Sequence, residues 1–461
     1  MDLDFATIYA LPAAYWLSMM ALMLLSAEAL FRLRDSWSLP ALMVYFTVFG
    51  WYMMEPINSP ETMAFGDEEL STAYLTVFFF LAAFRGLVTV LAKMFAAKKD
   101  VQGLSVDAIP AEKLFLVIGG LWLVLLSFGT WRMDGNLFAT LLPLDSRAGV
   151  SMWQRAAGAD AGSLGFLVSM AAYLYTLVLA MFGMLLPLMK RPLFRVLCVV
   201  AILISWPYIF LQGSRNLTLA VFVPMVFSFV FFTKAKMWIK GSSLLAAALF
   251  VNWALKEIIT FRNYGFNYSG DIEQEKHLGL NMASELIYCT TFVKTGVVSL
   301  AWGMNTMAEL ANVVPRALWV NKPLIGIDYA IARGFAGGAS DTGVFATIST
   351  GMIGQGVLEF GNILGPLYSA LLMAIWAAWL ARLREQKSLT RTCLFLVGMG
   401  LTFNLGRNIT LLVLWPMVFG FMLVLGLEFY FRHRTAASKA AGQANLPTGI
   451  IMGTEPGQVS S

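Results

Sequence analysis

Charged side chains are scarce in this 461-residue chain, at 13% Asp, Glu, Lys and Arg together. A soluble domain carries about 25%. The shortage excludes a disordered chain, which stays solvated through its charge, and argues against a soluble enzyme. There are two histidines, His277 and His433, so a metal site of clustered histidines is not expected. Cys198, Cys289 and Cys393 lie far apart, each in an apolar stretch, which leaves no disulfide framework and no zinc spacing. The first ten residues, MDLDFATIYA, hold no Lys or Arg, so no cleavable signal peptide is expected. No internal repeat is visible, and with it no sign of inverted transporter halves.

What the chain has in abundance is apolar surface. Hydrophobic residues make up 59% of it, and mean hydropathy is +0.71. The expected unit is a helix of ~20 apolar residues crossing a bilayer. Eleven such spans are predicted, at 7–31, 38–54, 73–92, 114–131, 164–189, 193–212, 217–233, 241–260, 357–380, 391–406 and 409–431. The second, seventh and tenth are short and need neighbouring protein to complete the crossing. The fold class is therefore all-α: a polytopic transmembrane bundle over 1–434. The Ala-, Gly- and Ser-rich segment 435–461 reads as a disordered cytoplasmic tail.

Charge sets the expected orientation. With the N-terminus outside and the C-terminus inside, nineteen of the 32 Lys and Arg fall in short inside loops or at inside span ends, as the positive-inside rule requires. The net charge of +5 is thus a matter of topology, and no nucleic acid is expected as a partner. Two long segments lie outside, about 132–163 and 261–356. Within the second, 286–303 and 344–358 are apolar enough for re-entrant or interfacial helices, or for a buried pair of spans.

The thirteen remaining cations are mostly arginine, nine to four. Arginine's planar fork suits phosphate and carboxylate, so the outside set points to an anionic ligand. The plainer reading is that single arginines pair with outside acids such as Asp134, Asp145, Glu273 or Asp341. Arg215 lies in the tight turn LQGSRN and Arg407 in the similar turn NLGRNIT. Backbone N–H groups and a guanidinium meet in such turns, which suits an anion; a snorkelling cation is the alternative. Arg262, in ITFRNYGFNY, stands among aromatics that suit sugar stacking or an interfacial belt. Arg85 is placed mid-span, where an unpaired cation costs ~3 kcal/mol or more, and is expected to be structural or to line a cavity. Candidate proton acceptors are His277, after the acidic run GDIEQEK, and Asp341, in RGFAGGASDTGV. A solvated charge run and an Arg333–Asp341 ion pair are their plainer readings.

The organisation resembles the Wzy-type O-antigen and exopolysaccharide repeat-unit polymerases. The residues that carry the resemblance are Gly-Ser-Arg at 213–215 opening a span, VVPRALWVNKP at 313–323, and GMIGQGVLEFGNILGPL at 351–367. The family's Arg-(ten residues)-Gly spacing is met by Arg147 and Gly158 but missed by Arg333 and Gly343, and glycine is common enough for such a match by chance.

The resemblance implies a GT-C-like glycosyltransferase of a bacterial inner membrane, N-terminus periplasmic and C-terminus cytoplasmic. It would join undecaprenyl-pyrophosphate-linked oligosaccharides on the periplasmic side, alongside a flippase and a chain-length regulator. Arg147, Arg215, Arg262, Arg316, Arg333 and Arg407 would bind substrate, and Asp341 or His277 would accept the proton. No cofactor or metal is expected. An O-antigen ligase and a lipid or polysaccharide transporter are the alternatives.

Overall fold

A computed structural model describes residues 11–58, 62, 64–96, 110–144, 152–153, 163–211, 215–264, 281–311, 319, 327–334, 349–386 and 388–444. Among these residues every regular element is helical. In chain order the helices are α1 (Ala13–Phe31), α2 (Ser38–Val48), α3 (Asp67–Phe95), α4 (Ala111–Arg132), α5 (Ser163–Leu185), α6 (Pro192–Ser205), α7 (Arg215–Phe232), α8 (Met237–Tyr264), α9 (Met282–Thr295), α10 (Met304–Ala311), α11 (Ile327–Ala332), α12 (Gly351–Glu385), α13 (Leu389–Leu405) and α14 (Leu411–Ala444), with single-turn helices between some of them. Each of the eleven predicted spans falls on one of these helices. Seven are long and apolar enough to cross a membrane, and Leu217–Phe232 and Leu389–Leu405 are shorter apolar helices. The chain is a multi-pass helical membrane protein.

Its outer surface is what lipid requires. On α6, Leu193, Val196, Val200 and Leu203 are all exposed, one stripe at helical spacing. On α12, Ile363, Leu364, Leu367, Leu371 and Ile375 do the same. In water such faces would drive aggregation.

α13 lies at the centre. It packs on α2, α7, α12 and α14, and 14 of its 17 residues are buried. A helix apolar all round belongs in a core. At 1.5 Å per residue it is roughly 25 Å long, short of a ~30 Å hydrocarbon layer. α2 is short as well and is extended by a π-helical turn, Phe49–Met53. Such turns commonly mark functional regions. This one brings the indole N–H of Trp51 to the carbonyl of Phe403, 2.7 Å away.

α12 departs most from expectation. The sequence predicts a span from 357 to 380, but the helix folds back on itself at Gly361 (φ 81°, ψ −178°). Only glycine adopts that backbone readily. Residues 351–360 then run antiparallel to 362–385. The Ser369 hydroxyl donates to Met352 O (2.7 Å), and a Cβ on Gly365 would lie 2.5 Å from Gly356 O. The glycine-rich motif is a helical hairpin. The other apolar stretch, 286–303, is divided: α9 ends at Gly296 (φ 74°), and its 14 residues are too few to span.

Several charged residues among those described meet at one end of the bundle. Here Arg384 donates to Leu33 O (3.2 Å) and Asp35 O (3.3 Å). There too Lys190 N donates to Glu112 (3.1 Å), and Arg391 forks onto Glu428, both bonds 2.8 Å. All of these residues belong to the end that the charge pattern assigns to the inside. Arg85 forks onto Glu28 (2.7 and 2.5 Å) beneath the ring of Trp37, 4.7 Å from its centroid. It is a structural ion pair of the kind a cation in a span requires. At the chain's end α14 continues to Ala444, ten residues into the expected tail. TAASKAAGQA is rich in alanine, with Lys and Gln, and these favour helix. Residues 445–461 lie outside the described residues.

Candidate functional site

The tight turn after α13 is the centre of the opposite end. Gly406 O accepts from Met352 N and Arg407 O from Gly351 N, both at 3.0 Å. The Gln355 amide pairs with the backbone of Ile409 in both directions (3.1 and 3.0 Å). The Tyr52 hydroxyl accepts from Ile353 N (3.0 Å) and donates to Gly406 O (3.5 Å). The first N–H groups of α12, which a helix start leaves unsatisfied, are thus taken up by the turn and by the π-helical segment. Gly351 (φ 76°) is required there, because a Cβ would strike the Tyr52 hydroxyl.

These bonds fix depth. Gly351 is bonded to Arg407, and Met352 is level with Ser369. Ser369 lies eight residues from the hairpin turn, ~12 Å along the helix. Arg407 therefore sits on a floor recessed ~12 Å below Gly361. Its side chain is exposed, and Nε donates to the Ser349 hydroxyl (2.7 Å).

Arg333 closes α11 nearby. It forks onto Glu285 of α9 (3.3 and 3.0 Å) and lies over the ring of Tyr288, 3.6 Å from its centroid. The Tyr329 hydroxyl donates to the same carboxylate, and burial holds that hydroxyl protonated far above its usual range. Glu285 is 3% exposed, and a carboxylate so buried needs this compensation. α9 itself starts against the floor: a Cβ on Gly351 would be 3.4 Å from Met282 Cβ, and Met282 is one turn from Glu285.

Glu55 was not foreseen. It opens a single-turn helix after the π-helical segment and caps α9, accepting from Ala283 N (2.6 Å), Ser284 N (3.3 Å) and the Ser284 hydroxyl. Burial pushes its carboxyl up to about 7, and the three donors hold it from rising further. The sequence signal was an acid beginning a loop, 55–72, that carries no Lys or Arg.

Of the residues singled out from the sequence, Arg407 is set by the turn bonded to Gly351 and Arg333 by Glu285 of α9, the helix whose first residue packs on Gly351. Arg333 takes Glu285 as an ion-pair partner, and the pairing expected with Asp341 lies outside the described residues. For Arg215 and Arg262 only the helix position is described, at the start of α7 and in the last turn of α8. Arg147, His277, Arg316 and Asp341 lie outside the described residues. Three further outside acids have positional work. Glu285 holds Arg333, Glu309 accepts from the Thr410 hydroxyl (2.5 Å), and Glu359 accepts from Gly303 N (2.6 Å), Thr306 N (2.8 Å) and the Thr306 hydroxyl (3.0 Å). Among the described residues no group of three or more His, Cys, Asp and Glu converges on one point. No protein-family model, curated protein or solved structure matches the chain.

Proposed function

We propose that this protein is a membrane glycosyltransferase of eleven spans that polymerises undecaprenyl-pyrophosphate-linked oligosaccharide repeat units on the periplasmic face of a bacterial inner membrane. The observation that carries the reading is the recessed floor with the exposed Arg407 upon it, at the end away from the basic loops. The motif that builds this floor, 351–367, is one of those by which the chain resembles the Wzy-type polymerases.

In this reading a hydroxyl of one lipid-linked unit attacks the anomeric carbon of another. The new C–O bond forms as the bond to pyrophosphate breaks, and lipid pyrophosphate leaves. Arg407, with Arg215 and Arg333, neutralises the charge that develops on the leaving oxygen. Asp341 or His277 accepts the hydroxyl proton. Arginines supply the electrostatics that a divalent ion supplies elsewhere. A transporter would need mid-span charge, for which the sequence offers Arg85 and Lys256–Glu257, and of these Arg85 is bonded to Glu28.

The test is elongation of lipid-linked repeats by the purified protein in liposomes with excess EDTA. Ladders of polymer are expected. A single transfer onto a lipid A-core acceptor would mean a ligase, and no product in any cation would remove the transferase reading.

A further inference from the structure

We propose that α10 lies in the headgroup layer of the bilayer as an amphipathic interfacial helix, with lipid as the partner of its outer face. The inference is independent of the polymerase reading.

Three observations lead there. First, the exposed positions along 302–310 are Trp302, Met304, Met307 and Leu310, all apolar and between 51% and 67% exposed. The helix's one charged residue, Glu309, is turned inward at 6%. A water-facing helix would show the reverse pattern. Ile363 and Leu364, next to the hairpin turn of α12, are exposed as well.

Second, its depth follows from the hairpin. Arg382 and Arg384 mark the far end of α12. Counting back ~20 residues from Arg382, the length needed for a ~30 Å hydrocarbon layer, ends at 362. The hairpin turn at Gly361 thus coincides with the hydrocarbon boundary. α10 is tied to that turn: Ala301 N donates to Leu358 O and Trp302 N to Glu359 O (both 3.0 Å). The Glu359 carboxylate, fully buried, holds Gly303 and Thr306, and the Tyr368 hydroxyl donates to Thr306 (2.8 Å).

Third, Trp302 is held at φ 49°, a left-handed backbone that bulky residues rarely adopt. It is followed by Gly303 at φ 88°. This pair of left-handed residues sets an indole outward at the boundary, where tryptophan is favoured because one part of the ring is apolar and another polar.

The experiment uses full-length protein in phospholipid nanodiscs, nitroxide-labelled at Met307→Cys or at Leu310→Cys. Leu371→Cys serves as a lipid-facing reference and Asp67→Cys as a water-facing one. Oxygen and a water-soluble nickel chelate act as the paramagnetic probes. At both test sites the ratio of oxygen to chelate accessibility should exceed the Asp67→Cys value several-fold, at a depth shallower than Leu371→Cys. Chelate accessibility equal to the water reference would overturn the proposal. So would shielding from both probes with dipolar broadening, which would identify a second copy of the chain as the occupant.

Discussion

Gly356 and Gly365 face one another across the α12 hairpin so closely that a Cβ on either would meet the other's carbonyl oxygen. The contact determines where Gly351, and through it Arg407, can sit. Gly356→Val is expected to open the hairpin at a cost of about 1–3 kcal/mol, the usual penalty for overpacking. Polymer formation should fall further than thermal stability does. An unchanged melting temperature with full activity would show that the two arms need not touch.

Arg407 and Arg333 should respond differently to removal. Arg407→Ala takes away an exposed guanidinium, so the protein should insert and melt normally while losing most polymer. Arg407→Lys should rescue poorly, since a point charge cannot replace a fork. Arg333→Ala leaves Glu285 buried without its cation, a loss on the order of 3–5 kcal/mol, and the double variant with Glu285→Ala should regain part of it. Thermal unfolding in detergent beside polymer length in cells separates the two roles. Normal polymer from both single variants would remove the anion site.

Glu55 gives a pH dependence with a definite sign. Its carboxyl titrates at about 7 in the folded protein against an ordinary 4.5, so the folded state holds the proton more tightly. The stabilisation is complete below about 4.5 and is lost as pH rises through about 7, a change on the order of 2–3 kcal/mol. Wild type should therefore gain stability on acidification across this window relative to Glu55→Gln, which has no carboxyl there to titrate. Parallel melting curves for the two proteins from pH 7.5 to 4.5 would contradict the assignment.

Sidedness is testable with single cysteines. Labels at 145–160 or 262–284 should react with an impermeant maleimide from the periplasm, and labels at 94–112 or 383–389 should not. Reversed labelling would put Arg407 on the cytoplasmic face.

The sequence made the helices readable because lipid imposes long apolar runs, and all eleven predicted spans fall on helices. The charge pattern also grouped the ends correctly: Asp35 with Arg384, and Glu112 with Lys190. The hairpin was readable only in part: 344–358 is open to a re-entrant arm before the 357–380 span, but the place of the reversal was not readable. The run Glu359–Pro366 holds three possible breakers, Gly361, Gly365 and Pro366, and the backbone angle at Gly361 with the Met352–Ser369 bond shows which one reverses the chain. The partner of Arg333 was hidden for a related reason. Glu285 is 48 residues away on a helix whose position depends on Glu55, and local spacing carries no trace of a contact made between separate helices.

The first arm of the hairpin also connects the membrane surface to the floor. Its outer end is joined through Glu359 to α10, and its inner end is bonded to the Arg407 turn. A ten-residue helical rod ~15 Å long transmits tilt with little bending. A bilayer too thin or too thick for α12 costs fractions of a kcal/mol per Å, and the rod carries part of that load inward. Acyl chain length should therefore act on this protein as an effector does, shifting the floor on which Arg407 stands without touching it.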